Sequence, residues 1–150
     1  MVKNLTVEQK NILSSMKVGA AFAADVAHAC ITMYVWDDNP KFLYIYHQAL
    51  PKTQFLGNLP DKTGRELRVN EEPLVQRALQ RGVALSGKRE LSLGLFVDLR
   101  VYPIYDSKGK CFAVIAFDAN EPEELFIKTA LEFLKNTGRQ ILKSNYYGRL

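Results

Sequence analysis

Cysteine and histidine are scarce, with two of each in 150 residues. Of His28, Cys30, His47 and Cys111 only the first two lie close together. No spacing resembles the paired knuckles of a structural zinc site, so neither a metal centre nor haem is expected. Cys30 and Cys111 both sit in apolar, strand-like context. They are expected to be buried free thiols in a reducing compartment, which points to a cytoplasmic protein. Long apolar runs are missing too. The alanine-rich stretch Val18–Val35 is broken by Asp25 and His28, too interrupted for a membrane span, and with no basic-then-apolar stretch opening these residues secretion is not expected. Charge of one sign is also lacking. The net +4 is spread as 5 basic and 4 acidic residues over 1–60, 10 and 7 over 61–110, and 5 and 5 over 111–150, which argues against a nucleic-acid surface. There is no G-x-S-x-G elbow, no phosphate-cradling loop and no H-E-x-x-H helix, so the chain is not expected to be an enzyme.

What remains is the composition of one globular domain, 47% hydrophobic and 24% charged. Thr6-Val7-Glu8-Gln9 carries a capping-box signature, and the helix it opens runs to about Ala27 with Ile12, Met16, Ala20, Ala23 and Ala27 as its inner stripe. Cys30–Trp36 and Lys41–Ala49 are β-branched and aromatic and flank Asp37-Asp38-Asn39-Pro40, which reads as a hairpin. Residues 50–70 form a long polar connection without a sustained period, the kind of loop that often covers a binding site. Glu71-Glu72-Pro73 starts a short helix that Gly82 ends, and Val83–Glu90 is a third strand interrupted by Gly87 and Lys88. Asn120–Glu123 caps a last helix reaching about Leu142, with Phe126, Ala130, Leu134, Gly138 and Ile141 on one stripe and Lys135, Arg139 and Lys143 near its end.

The centre of the chain is 95–120. Its first half alternates, with Leu95, Val97, Leu99 and Val101 on one side and Phe96, Asp98, Arg100 and Tyr102 on the other. Its second half, Cys111–Phe117, is apolar throughout, as in an interior strand covered on both faces. The Asp106–Gly109 cluster joins them as a hairpin turn. The fold class expected is α+β: a central five- to six-stranded antiparallel sheet, long amino- and carboxy-terminal helices on one face, and the short helix with the long loop over the other. As one domain it divides into a helix (1–29), a sheet core (30–119) and a carboxy-terminal helix (120–150). The face holding Arg100, Asp98, Tyr102 and Phe96 mixes charge with aromatics and is the candidate ligand site, Arg100 forking onto a carboxylate or phosphate. A plain solvent-facing strand accounts for the same pattern. Tyr34, Tyr44 and Tyr46 are either an aromatic wall of that site or ordinary core.

The run Val101-x-Pro103-Ile104-x-Asp106-x-x-Gly109-Lys110-x-x-Ala113-Val114-Ile115-Ala116 resembles the last hairpin of GAF and PAS sensor domains. Gly64, then Pro73-Leu74-Val75-x-x-Ala78-Leu79-x-x-Gly82, then the hairpin ending in Asp118-Ala119-Asn120, is similar to the amino-terminal GAF-like sensor of cytoplasmic two-component histidine kinases, the group signalling to RNA-binding antiterminator response regulators. The resemblance covers about Ala24 to Asn120. It implies a sensor that acts through its terminal helices on a histidine kinase or its response-regulator pathway. The apolar stripes of those helices suit bundling in a homodimer, a small molecule is expected to bind between the sheet and the 50–70 loop, and no cofactor is expected. Nothing in the 150 residues resembles a phospho-accepting helix or an ATP-binding region, so the expectation is an excised domain or a stand-alone relative acting on another protein. The same order of elements also resembles roadblock and profilin-like scaffolds, which dimerise and dock partners without a ligand.

Overall fold

The computed structural model describes residues 4–52, 61–92 and 94–147. Helix α1 spans Val7–Ala27 and begins as its capping box predicts: Thr6 Oγ1 accepts from Gln9 N at 3.1 Å, and Gln9 Oε1 accepts from Thr6 N at 3.0 Å. Strands β1 (Cys30–Trp36), β2 (Phe42–Ala49), β3 (Glu66–Arg68), β4 (Leu85–Ser92), β5 (Leu95–Tyr105) and β6 (Cys111–Ala119) form one antiparallel sheet in the order β3-β2-β1-β6-β5-β4. Helix α2 is Pro73–Arg81 and α3 is Glu124–Tyr147. No helix among the described residues is long and apolar enough to cross a membrane.

The expected α+β architecture is present. Helices α1 and α3 cover one face, where Ile31, Met33, Val35, Ala113, Ile115 and Phe117 meet Leu13, Met16, Ala20, Ile127 and Leu134. Alanines on α1 and Gly19 let the two helices approach closely; a Cβ at Gly19 would lie 2.7 Å from Phe133 Cε1. Helix α2 packs Val75, Ala78 and Leu79 on the other face against Leu43, Ile45, Leu99, Val101, Val114 and Ala116. Strand β6 lies between β1 and β5 with both faces covered, which is why its sequence is apolar without alternation.

Several local expectations need correction. The 50–70 connection contains strand β3, paired to β2 through Phe42–Arg68 and Tyr44–Glu66, followed by a single 3₁₀ turn at Val69–Glu71. Its segment 53–60 lies outside the described residues. Gly87 does not interrupt β4: a Cβ there would meet Leu74 Cδ2 at 3.3 Å, so glycine makes room for α2. On α3 the inward stripe is Ile127, Ala130, Leu131 and Leu134, and Phe126 is 42% exposed. Ala130 and Leu134 of the expected stripe do face the sheet, but their partners at i, i+3, i+4 and i+7 spacing are Ile127 and Leu131, which leaves Phe126 on the flank. The side chains of Arg139, Ile141 and Lys143, and the burial of Gly138, lie outside what the structure describes. Cys30 is buried, but Cys111 is only half-buried.

Candidate functional site

The α2 face of the sheet carries a polar cluster inside an otherwise apolar layer. Asp118 follows Val114 and Ala116 in phase along β6, Tyr34 pairs with Val114 on β1, and Arg89 lies on β4 opposite Val97. Glu72 comes from the turn that opens α2. These four side chains converge. Arg89 Nη1 is 2.7 Å from Glu72 Oε1 and donates to the Tyr34 hydroxyl at 3.4 Å, and that hydroxyl lies 3.5 Å from Glu72 Oε1. Arg89 Nε is 3.6 Å from Asp118 Oδ1. At that distance the pair is ionic without being a hydrogen bond. Arg89 Nε, Arg89 Nη2 and Asp118 Oδ1 are all buried with no hydrogen-bond partner.

A polar relay extends from this cluster towards residues 61–63. Cys30 and Asp118 are paired across β1 and β6, and the Cys30 thiol lies 4.0 Å from Thr32 Oγ1. Thr32 accepts from Gln48 Nε2 at 3.0 Å, and Gln48 Oε1 accepts from Lys62 N at 2.9 Å. Burial dominates the electrostatics. It pushes the Cys30 thiol up to about 12, with the Asp118 charge adding to it, so Cys30 is an inert thiol at neutral pH. Burial also raises Asp118 and carries Glu72 up to about 7, in each case against the attraction of Arg89. Arg89 is held protonated by Asp118, Tyr34 and Glu72 despite its own burial.

Glu72 therefore has a pH signature. Its folded-state pKa lies above its unfolded value of 4.5, so the folded protein holds the proton more tightly, and the contribution is present below 4.5 and lost as pH rises to about 7. Glu72→Gln keeps the neutral shape. The variant is expected to match wild type near pH 4 and to exceed it by pH 8, by at most about 3 kcal/mol. Chemical denaturation of both proteins across that range checks this, and a difference that does not change with pH contradicts it.

The sequence-based site residues do not meet at one place. Of the seven, Tyr34 alone reaches the α2-face cluster. Arg100 points to the helix face, where Nε donates to Glu124 Oε1 of α3 at 2.8 Å; half of Glu124 is exposed, so the pair contributes little to stability. Tyr102 packs edge-on against Phe117 with ring centroids 5.8 Å apart, Asp98 is half-buried, and Phe96 is 52% exposed. Tyr44 and Tyr46 rest on the α1/α3 core, and the Tyr46 hydroxyl is 3.0 Å from Ser14 Oγ. A bulge between β1 and β2 at Met33/Tyr34 sets Tyr44 opposite Val35 and Ile45 opposite Tyr34, which parts Tyr44 from Tyr34 across the sheet.

Glu72, Arg89 and Asp118 were not singled out from the sequence. One signal was available, since Asp118 is the only charge within the apolar run of β6. Among the described residues no three histidine, cysteine or acidic side chains gather as a metal set. The buried His47 Nδ1 also lacks a partner, but it sits opposite Met33 on the helix face, lowered in pKa by burial and then by Lys17. A separate cleft of about 670 Å³ at the far end of the sheet is lined by Trp36, Leu79, Arg81, Tyr105 and Lys110. None of the unpartnered buried atoms lines it.

Known proteins place this architecture. The family model described as the GAF domain of histidine kinase PdtaS matches residues 3–136. No curated protein matches the chain. Among solved structures, the sensor region of a sensor histidine kinase is 15% identical with a TM-score of 0.60, over 92% of this chain and 49% of that one, so this chain spans about half its length. The second GAF domain of DevS from Mycobacterium smegmatis is 14% identical with a TM-score of 0.61, over 92% and 98%. The blue-light absorbing form of the Thermosynechococcus elongatus PixJ GAF domain is 13% identical with a TM-score of 0.57, over 98% and 94%. At such identities the structures speak for the fold, and the family match is what assigns the sequence. With the family model matched over residues 3–136, on a sheet of six antiparallel strands held between a helix pair and a short helix, this protein belongs to the family of the histidine kinase PdtaS GAF domain.

Proposed function

We propose that the chain is a cytoplasmic, non-catalytic sensor module that binds a small molecule on the α2 face, at Arg89, Asp118, Glu72 and Tyr34, and passes the change through β6 and β1 to the α1/α3 pair and on to a histidine kinase. The observation that carries this reading is the set of buried, unpartnered atoms on Arg89 and Asp118. Buried polar groups are nearly always satisfied, so a cluster left open on one face of a sensor fold is suited to a ligand. Arg89 keeps 20% of its side chain exposed while its unpartnered nitrogens are buried, so a ligand reaches them as the side chains around the cluster part. A thermal-shift screen against nucleotides, amino and keto acids, dicarboxylates, amines and metals tests it, with Arg89→Lys alongside. Lysine keeps the charge but loses the planar fork. A stabilising compound whose effect vanishes in the variant supports the site, as mass action requires; compounds that act equally on both proteins contradict it.

Transmission calls for a second copy against the helices. Val18, Phe22, Phe126 and Phe133 lie on the outer side of the helix pair and are 73%, 59%, 42% and 38% exposed. Phe22 and Phe133 touch with centroids 5.1 Å apart, which makes the patch continuous across both helices. A ligand-dependent shift in the sheet then becomes a shift of helix packing in a dimer. The combined substitutions Val18→Glu and Phe22→Glu are expected to leave the fold intact and to move the protein from twice 17.0 kDa to 17.0 kDa in light scattering. A wild-type protein that is monomeric at high micromolar concentration sinks the dimer.

A further inference from the structure

The three open atoms at the Arg89 site do not invite every ligand equally. Arg89 Nε and Nη2 belong to one edge of the guanidinium, the side-on fork, while Nη1 is already engaged by Glu72 and Tyr34. Asp118 Oδ1 is 3.6 Å from Nε, beside that same fork. The site thus offers two donors next to one acceptor, and Asp118 is 5% exposed. Resting on the sensor reading above, we propose that the ligand presents a cis amide edge, as in a primary carboxamide, a urea or a lactam. Its carbonyl oxygen accepts from Arg89 Nε and Nη2, and its adjacent N–H donates to Asp118 Oδ1.

Charge and hydrogen-bond arithmetic separate this class from its rivals. One guanidinium already faces two carboxylates, so a carboxylate or phosphate ligand adds a third negative charge next to Asp118. An ammonium answers Asp118 but leaves both Arg89 donors unmet, and a buried unmet donor is costly. A neutral amide satisfies all three atoms with one group and adds no charge.

The side-chain Nε–H resonance of Arg89 reads this directly in a ¹H–¹⁵N spectrum of the whole chain. It is assigned by through-bond connectivity and by its absence in Arg89→Lys, so the assignment survives if that variant folds poorly. Titration with 2-pyrrolidone is compared with propionate and propylamine at equal concentration. The expected result is a saturable shift of the Arg89 resonance with 2-pyrrolidone, at least threefold larger than with either charged probe. Propionate or propylamine shifting it as far or further overturns the amide class while leaving the sensor site standing. No shift from any of the three overturns both, and assigns the open atoms to bound water.

Discussion

Arg89→Met is expected to destabilise the protein by roughly 3–5 kcal/mol at neutral pH, because it leaves two buried carboxylates facing each other without their cation. For a chain of this length that is a fall in melting temperature of roughly 10 °C. Tyr34 cannot compensate: its hydroxyl donates one proton, and Glu72 Oε1 already lies 3.5 Å from it. The penalty has a particular form. Glu72 and Asp118 are both raised by burial, so in the variant they take up protons, and the loss shrinks as pH falls towards 5. The triple variant Arg89→Met, Glu72→Gln, Asp118→Asn is expected to regain most of the stability, since removing all charges of a buried network is far less damaging than removing its single cation alone. Thermal and denaturant unfolding of the single and triple variants check this. A single variant within 1 kcal/mol of wild type at pH 7.5 means that the carboxylates reach solvent and the cluster is not closed in the way described.

Phe117→Ala is expected to cost a similar amount, roughly 3–5 kcal/mol, by a different mechanism. Phe117 is fully buried at the centre of the helix-side core, paired with Ile31 on β1 and Arg100 on β5, and Tyr102 stacks on it edge-on. Its neighbours belong to three elements, α1, α3 and the sheet, so the structure cannot collapse around the lost ring without moving a helix. The effect is independent of pH between 5 and 8, which distinguishes it from Arg89→Met. Urea unfolding measures it, and a loss below about 1.5 kcal/mol means that α1 and α3 close over the space left by the ring.

The two variants illustrate how much of this molecule can be read from its residues. Long periods were plain: the capping box at Thr6, the unbroken apolar run of β6 and the alternation of β5 gave the layers and the order of elements. Strand β3 was hidden because three residues are too few to show a period, and its pairing to β2 is a tertiary fact. The candidate site was legible only in part. The alternation of β5 separated Val97, Leu99 and Val101 from Asp98, Arg100 and Tyr102, yet it does not say which side the long helices cover. Composition alone favoured the charged side as the pocket, whereas α3 begins there and claims Arg100 through Glu124. The bulge in β1–β2 divided the tyrosines in a way no sequence period announces. Arg89 was masked by Gly87 and Lys88, which looked like breaks in a strand until the position of Leu74 explained the glycine.

The assignment of ligand recognition to the α2 face is tested most directly by comparing two arginines. Wild type, Arg89→Lys and Arg100→Ala are carried together through one thermal-shift panel of small molecules, including lactams, amino acids and nucleotides. The expected result is that whatever stabilises wild type also stabilises Arg100→Ala and leaves Arg89→Lys unmoved. A compound that loses its effect in Arg100→Ala and keeps it in Arg89→Lys would place recognition on the helix face of β5 and contradict the α2-face site.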